Sequence, residues 1–160
     1  YDHILGVQAQ LWSETIKGRE MVEYYMLPKI IGFAESAWAT QRDWETMPDR
    51  MARERAMAEA WNKLANSIGR RELPRLAYFN GGYNYRVAPP GGMIENGSLQ
   101  VNASLPGHTV RYTTDGSDPQ ASSPAYVQPL KVAGEIHLRS FDSAGRSSRV
   151  VSPTAESTKQ

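Results

Sequence analysis

The sequence has no cysteine, which excludes disulfide staples and thiolate metal sites without choosing a compartment. An excess of one charge is also lacking, because 18 Lys and Arg offset 17 Asp and Glu, for a net charge of +1. With no basic block and no acidic tail, neither nucleic acid nor an anionic membrane surface is favoured as a partner. Apolar stretches are short. Charge interrupts them well before the roughly 20 residues that a membrane-spanning helix requires. The histidines are few, and His3, His108 and His137 lie too far apart in sequence to suggest metal-ligand spacing. No cofactor is implied. The chain opens on Tyr1-Asp2-His3, with neither an initiator Met nor a charged-then-apolar leader. Processing or truncation of what came before is therefore expected.

What is present has ordinary globular composition, 40% hydrophobic and 22% charged over 160 residues, enough for one modest core or two small ones. The character of the sequence changes near residue 85, so we expect one domain over residues 1–85 and a second over 86–160. From Ile4 to Trp12, the apolar Val7, Ala9 and Leu11 alternate with Gln8 and Gln10, the period of a strand with two unlike faces. A lone strand followed by helices fits a βα unit of a parallel sheet or barrel. An unpaired strand there also predicts self-association between copies.

Helical spacing runs from Arg19 to Trp38, and Pro28 should break it into two helices. Thr46, followed by Pro48, marks the expected start of a third helix, with Gly69 its expected stop. Trp38 and Trp61 fall on the apolar faces of their helices and are expected to anchor the core. Beyond Val87, turn dipeptides such as Asn96-Gly97, Pro106-Gly107 and Asp115-Gly116 separate short alternating runs around Leu99, Val110, Leu130 and Ile136. That spacing predicts a small antiparallel β-sandwich with a frayed tail after Pro153. The expected fold class is therefore α+β. Asp115, Ser117 and Asp118 lack the bidentate Glu of a calcium loop and read as a plain turn.

Leu11-Trp12-Ser13-Glu14 carries the most chemical information. It places an indole and a carboxylate two residues apart, at the C-terminal end of a presumed parallel strand, where such sheets locate their sites. Aromatic faces pack against the C–H face of a sugar, and carboxylates accept hydrogen bonds from its hydroxyls. From spacing alone the pattern is weak, and a core indole beside an exposed loop carboxylate fits it better.

The run from Gly6 to Glu14, then Leu27-Pro28-Lys29 and Ala34-Glu35-Ser36-Ala37-Trp38, resembles the end of the catalytic barrel in glycoside hydrolase family 20, the β-N-acetylhexosaminidases. Lys29 and Ser36 stand where that family usually has arginines. The first change keeps the charge but loses the planar fork. Independently, Val110 to Pro119, followed by Ser122 to Tyr126, is similar to the signature of the chitobiase/β-hexosaminidase C-terminal domain.

The resemblance implies the terminal βα portion of a (β/α)8 barrel followed by the β-sandwich. It implies an exo-acting enzyme that removes terminal GlcNAc or GalNAc from glycans by substrate-assisted catalysis. Trp12 would wall the sugar pocket and Glu14 would bind the 4- and 6-hydroxyls of the terminal sugar. Members of the family use an Asp-Glu dipeptide for the proton chemistry, and no such dipeptide occurs in these residues. No catalytic residue is therefore assigned, and the chain by itself is expected to be inactive. A periplasmic or extracellular location is implied in the same way. The alternative is a non-catalytic carbohydrate-binding or structural β-module.

Overall fold

A computed structural model describes residues 6–40 and 42–155. The chain divides into two compact units, Tyr1–Arg86 and Val87–Gln160. The described part of the first is helical. Helix α1 spans Gly18–Met26 and α2 spans Lys29–Trp38, with Pro28 at the break between them. Along α2, Ile31 and Ala34 are half-buried, whereas Trp38 is 81% exposed.

Helix α3, Arg50–Ser67, starts later than Thr46 and Pro48 suggested. Residues Asp43–Thr46 form only a 3-10 turn, and Met47, preceding a proline, is extended. Asp49 is the true cap, its carboxylate accepting the Ala52 N–H at 2.6 Å. Nor does Gly69 end the helix. The backbone runs on through a π-helical turn at Ile68–Glu72 into a short α4, Leu73–Leu76. Glycine costs a helix interior only about 1 kcal/mol. Here Ile68 and Leu73 on either side are both buried, and that packing outweighs the cost.

Two other expectations fail. Residues 6–12 form no strand, and positions 4 and 5 lie outside the described residues. A ladder needs a neighbour to accept its backbone hydrogen bonds, and among the described residues no strand is paired with this segment. Trp61 is 57% exposed, as Trp38 is exposed, so neither is a core anchor. The inward side of α3 carries Ala56, Ala60 and Leu64, one position out of phase with Met57 and Trp61.

The second unit is β-rich. Strands β1 (Gly91–Glu95) and β2 (Ser98–Asn102) form a hairpin in which Glu95 faces Ser98. Its two-residue turn is Asn96 at φ 50° and Gly97 at φ 71°, the left-handed pair that matches strand twist. Strands β3 (Thr109–Thr113) and β5 (His137–Phe141) pair antiparallel as a separate ribbon. The other sheet has the order β4-β2-β1-β6, with β4 at Leu130–Lys131 and β6 at Thr154–Ala155. Of the tail expected to fray after Pro153, Thr154 and Ala155 instead pair in parallel with Met93 and Ile94 as β6, and residues 156–160 lie outside the described residues.

The core of this unit centres on Leu99, Ile136 and Leu138, with Tyr112, Tyr126 and Val151 packed against them. The Tyr126 hydroxyl accepts the Val101 N–H at 3.1 Å and donates to the Leu99 carbonyl at 3.3 Å. One phenol thus fastens the loop between β3 and β4 onto β2. The Asp115 turn is held locally, its carboxylate accepting both the N–H and the hydroxyl of Ser117. Those bonds hold the Asp115 carboxyl below its usual range.

His108 introduces a pH dependence. Both of its ring nitrogens are shielded from solvent and lack a hydrogen-bond partner. Burial lowers its pKa from the ordinary 6.5, with the Asp142 carboxylate opposing the shift. The folded state therefore disfavours the imidazolium. Between the ordinary value and the lower folded one, the unfolded chain binds more protons, so stability falls as pH falls. Urea midpoints of this unit should stay level above about pH 7 and decline as pH drops below about 6.5. His108→Gln should flatten that slope. An unchanged slope in the variant would assign the titration to another group.

Candidate functional site

The segment ahead of α1 carries both residues singled out by sequence. Trp12 is 77% exposed, and Glu14 is exposed within a turn closed by the Ile16 N–H donating to the Ser13 carbonyl at 3.1 Å. The turn arises locally, because Ser13, Glu14 and Thr15 are polar and Gly18, at φ 75°, lets the chain swing into the helix. Just upstream, Ala9, Gln10 and Leu11 line a groove of about 280 Å³ with Tyr25, Met26 and Lys29. Trp12 thus immediately precedes the turn and Glu14 lies within it, both exposed. An indole and a carboxylate so presented can stack on and hydrogen-bond a polyol. Alone, they have no partner arrangement for moving protons.

The other ionisable candidates lie elsewhere. His3 is outside the described residues. His137, 19% exposed, sits between Asp118 at 3.7 Å and Glu135 at 3.6 Å. Sequence reading missed this cluster because Asp118 lies on a turn distant in sequence; the local signal was Glu135, two residues before His137. Among the described residues, no group of three or more His, Asp or Glu side chains, this cluster included, is arranged to hold a metal ion. Within them, no helix is long and apolar enough to cross a membrane.

Comparison with known proteins finds two family matches in the chain. Residues 1–41 match the catalytic domain of glycosyl hydrolase family 20, and residues 72–150 match the chitobiase/beta-hexosaminidase C-terminal domain. By these two matches the chain is similar to glycosyl hydrolase family 20 enzymes. Over 157 residues it is 32% identical to N,N'-diacetylchitobiase of Vibrio harveyi, covering 92% of this chain and 17% of that protein. A beta-hexosaminidase of Vibrio vulnificus is 30% identical, with 81% of this chain and 18% of the relative covered. One from Porphyromonas gingivalis is 26% identical, with 92% and 18% covered. The chain thus spans 17–18% of the length of these curated relatives.

The family 20 catalytic match contains Trp12, Glu14, α1 and α2. The C-terminal match starts at residue 72, well inside the helical unit that closes at Arg86. Helix α4 and the residues after it therefore belong by sequence to the C-terminal domain and by packing to the helices.

Proposed function

We propose that this chain carries the sugar-holding wall of an exo-acting β-N-acetylhexosaminidase, which hydrolyses terminal GlcNAc or GalNAc from glycans. One observation carries the reading. Trp12 and Glu14 stand exposed at a single turn inside the stretch that matches the family 20 catalytic domain. The names of the relatives, chitobiase and beta-hexosaminidase, support the substrate class.

In this proposal the helical unit is the terminal βα portion of a (β/α)8 barrel, and residues 4–12 gain their ladder from strands outside this chain. The β unit is the small sandwich that follows. The Trp12 indole packs on the C–H face of the terminal sugar, while the Glu14 carboxylate accepts hydrogen bonds from its 4- and 6-hydroxyls. That pairing selects a chain end, because an interior residue has its 4- or 6-oxygen occupied by a glycosidic bond. An Asp-Glu pair outside these residues supplies the proton chemistry. Its Glu protonates the leaving oxygen while the substrate's own acetamide oxygen attacks the anomeric carbon, a departure from the usual pair of enzyme carboxylates. The glycan is the partner, and the site of action is periplasmic or extracellular.

In the complete enzyme, Glu14→Ala should lower kcat/KM on an aryl N-acetylglucosaminide about tenfold to a hundredfold, the value of one hydrogen bond to a charged group. In the 160-residue chain the same variant should hardly move the melting temperature, since the carboxylate is exposed there. An effect within twofold would remove Glu14 from the sugar site. The 160-residue chain alone should show no turnover of the same substrate.

A further inference from the structure

The residues that follow α4 do not leave the helical unit freely. Tyr83 N–H donates to the Leu76 carbonyl at 2.9 Å, and Arg86 N–H donates to the Leu27 carbonyl at 3.1 Å. Between them, Asn84 is held twice. Its backbone N–H donates to the Glu23 carboxylate at 2.7 Å, and its side-chain amide donates to the Glu20 carbonyl at 3.0 Å. Glu23 is 12% exposed and also accepts from the Arg19 guanidinium. Rings reinforce the backbone contacts. Phe79 and Tyr83 stack at 6.4 Å, with Arg75 over the first and Arg19 over the second.

Beneath this segment lies a groove of about 410 Å³, lined by Val22, Met26, Ile31 and Leu76 and walled by Phe79 and Tyr83. The turn that carries the segment over it, Asn80-Gly81-Gly82, has φ angles of 52°, 84° and 89°. Three successive residues in this region make a joint that glycine can reopen at little steric cost.

We propose that residues 78–86 form a hinged strap, caught by Glu23, that fastens the leading segment of the C-terminal domain onto the catalytic-domain helices. The two sequence modules meet at this catch: Glu20, Glu23 and Leu27 lie in the catalytic match, and Asn84 and Arg86 lie in the C-terminal match. The catch is a solvent-exposed, charge-assisted bond to a backbone N–H, which is stronger than a neutral one, while the hinge behind it is soft. Opening the strap also unburies Tyr85, 3% exposed in the closed chain, so it occurs as a rare local event that uncovers the groove while α3 stays folded. This inference is independent of the sugar-binding reading.

Hydrogen exchange on the 160-residue chain tests it. In the native protein the Asn84 and Arg86 amides should exchange faster than those in the middle of α3, and at rates indifferent to low urea. Glu23→Gln should speed those two amides about tenfold while leaving α3 unchanged. The absence of cysteine allows a second readout. A thiol placed by Val22→Cys should alkylate with iodoacetamide several-fold faster in the Glu23→Gln background. One placed by Met57→Cys, on the open side of α3, should not change. Exchange of Asn84 and Arg86 in step with α3 at every urea concentration would overturn the strap. So would rates within twofold of native in Glu23→Gln. If that variant unfolds the helices, the urea dependence of the native chain decides.

Discussion

Gly134→Ala should cost the β unit about 2–5 kcal/mol, from strain of about 1–2 kcal/mol and overpacking of about 1–3 kcal/mol. Gly134 holds φ 98°, where an L side chain is strained, and a Cβ built there would overlap the carbonyl oxygen of Thr114. The obstacle is backbone, so no side-chain rotation relieves it. Gly97→Ala is the control, because its φ of 71° carries the same kind of strain but nothing lies within 4 Å. It should lose only the strain, about 1–2 kcal/mol. Urea titrations followed by the amide signals of residues 87–155 compare the two. If Gly134→Ala proves no worse than Gly97→Ala, the Thr114 contact does not limit the site.

A second large effect is predicted where the hairpin meets the core. A Cβ on Gly92 would collide with Leu138 Cδ1 and press on Pro153 at 3.3 Å. Leu138 has no exposed surface, so trimming it to alanine should cost about 2–5 kcal/mol through lost burial and the cavity left behind. Gly92→Ala should cost about 1–3 kcal/mol through overpacking. The double variant should lose clearly less than the sum, by about 1 kcal/mol or more, because each change makes room for the other. Strict additivity in the four-corner cycle would show that Pro153, and not Leu138, is the barrier at Gly92.

These sites also show which parts of the fold a sequence can disclose. Asn96-Gly97 announces its hairpin because the turn needs only its own two backbones. Pro28 announces the break between α1 and α2 for the same local reason. Leu99 and Leu138 are legible as core because alternation fixes which face of a strand they occupy. Periodicity fails where a partner is remote. Alternation at 6–12 marks a segment able to pair, but a ladder needs a second strand. Trp61 falls on an apolar stripe, yet only neighbouring elements decide which of two stripes on α3 is covered. Glu23 and Asn84, 61 positions apart, carry no local mark of their contact. For the candidate site, sequence spacing alone brings Trp12 and Glu14 to one turn. What that turn faces depends on residues far along the chain, which no short pattern encodes.

The parallel pairing of β1 with β6 has a consequence for synthesis. Thr154 donates through its hydroxyl to the Gly92 carbonyl across 62 residues, so the first and last strands of the β unit are neighbours. During translation, one edge of β1 has no native partner until residue 154 has cleared the ribosomal exit tunnel. Contacts of such sequence separation form late, and an unpaired edge is exposed to wrong partners in the meantime. In the helical unit, the bonds within single helices form locally while the nascent chain is still growing, and the contacts of Asn84 and Arg86 with α1 and Leu27 wait for distant chain. The two halves of the protein therefore mature on different clocks, and the pairing of β1 with β6 is the later event.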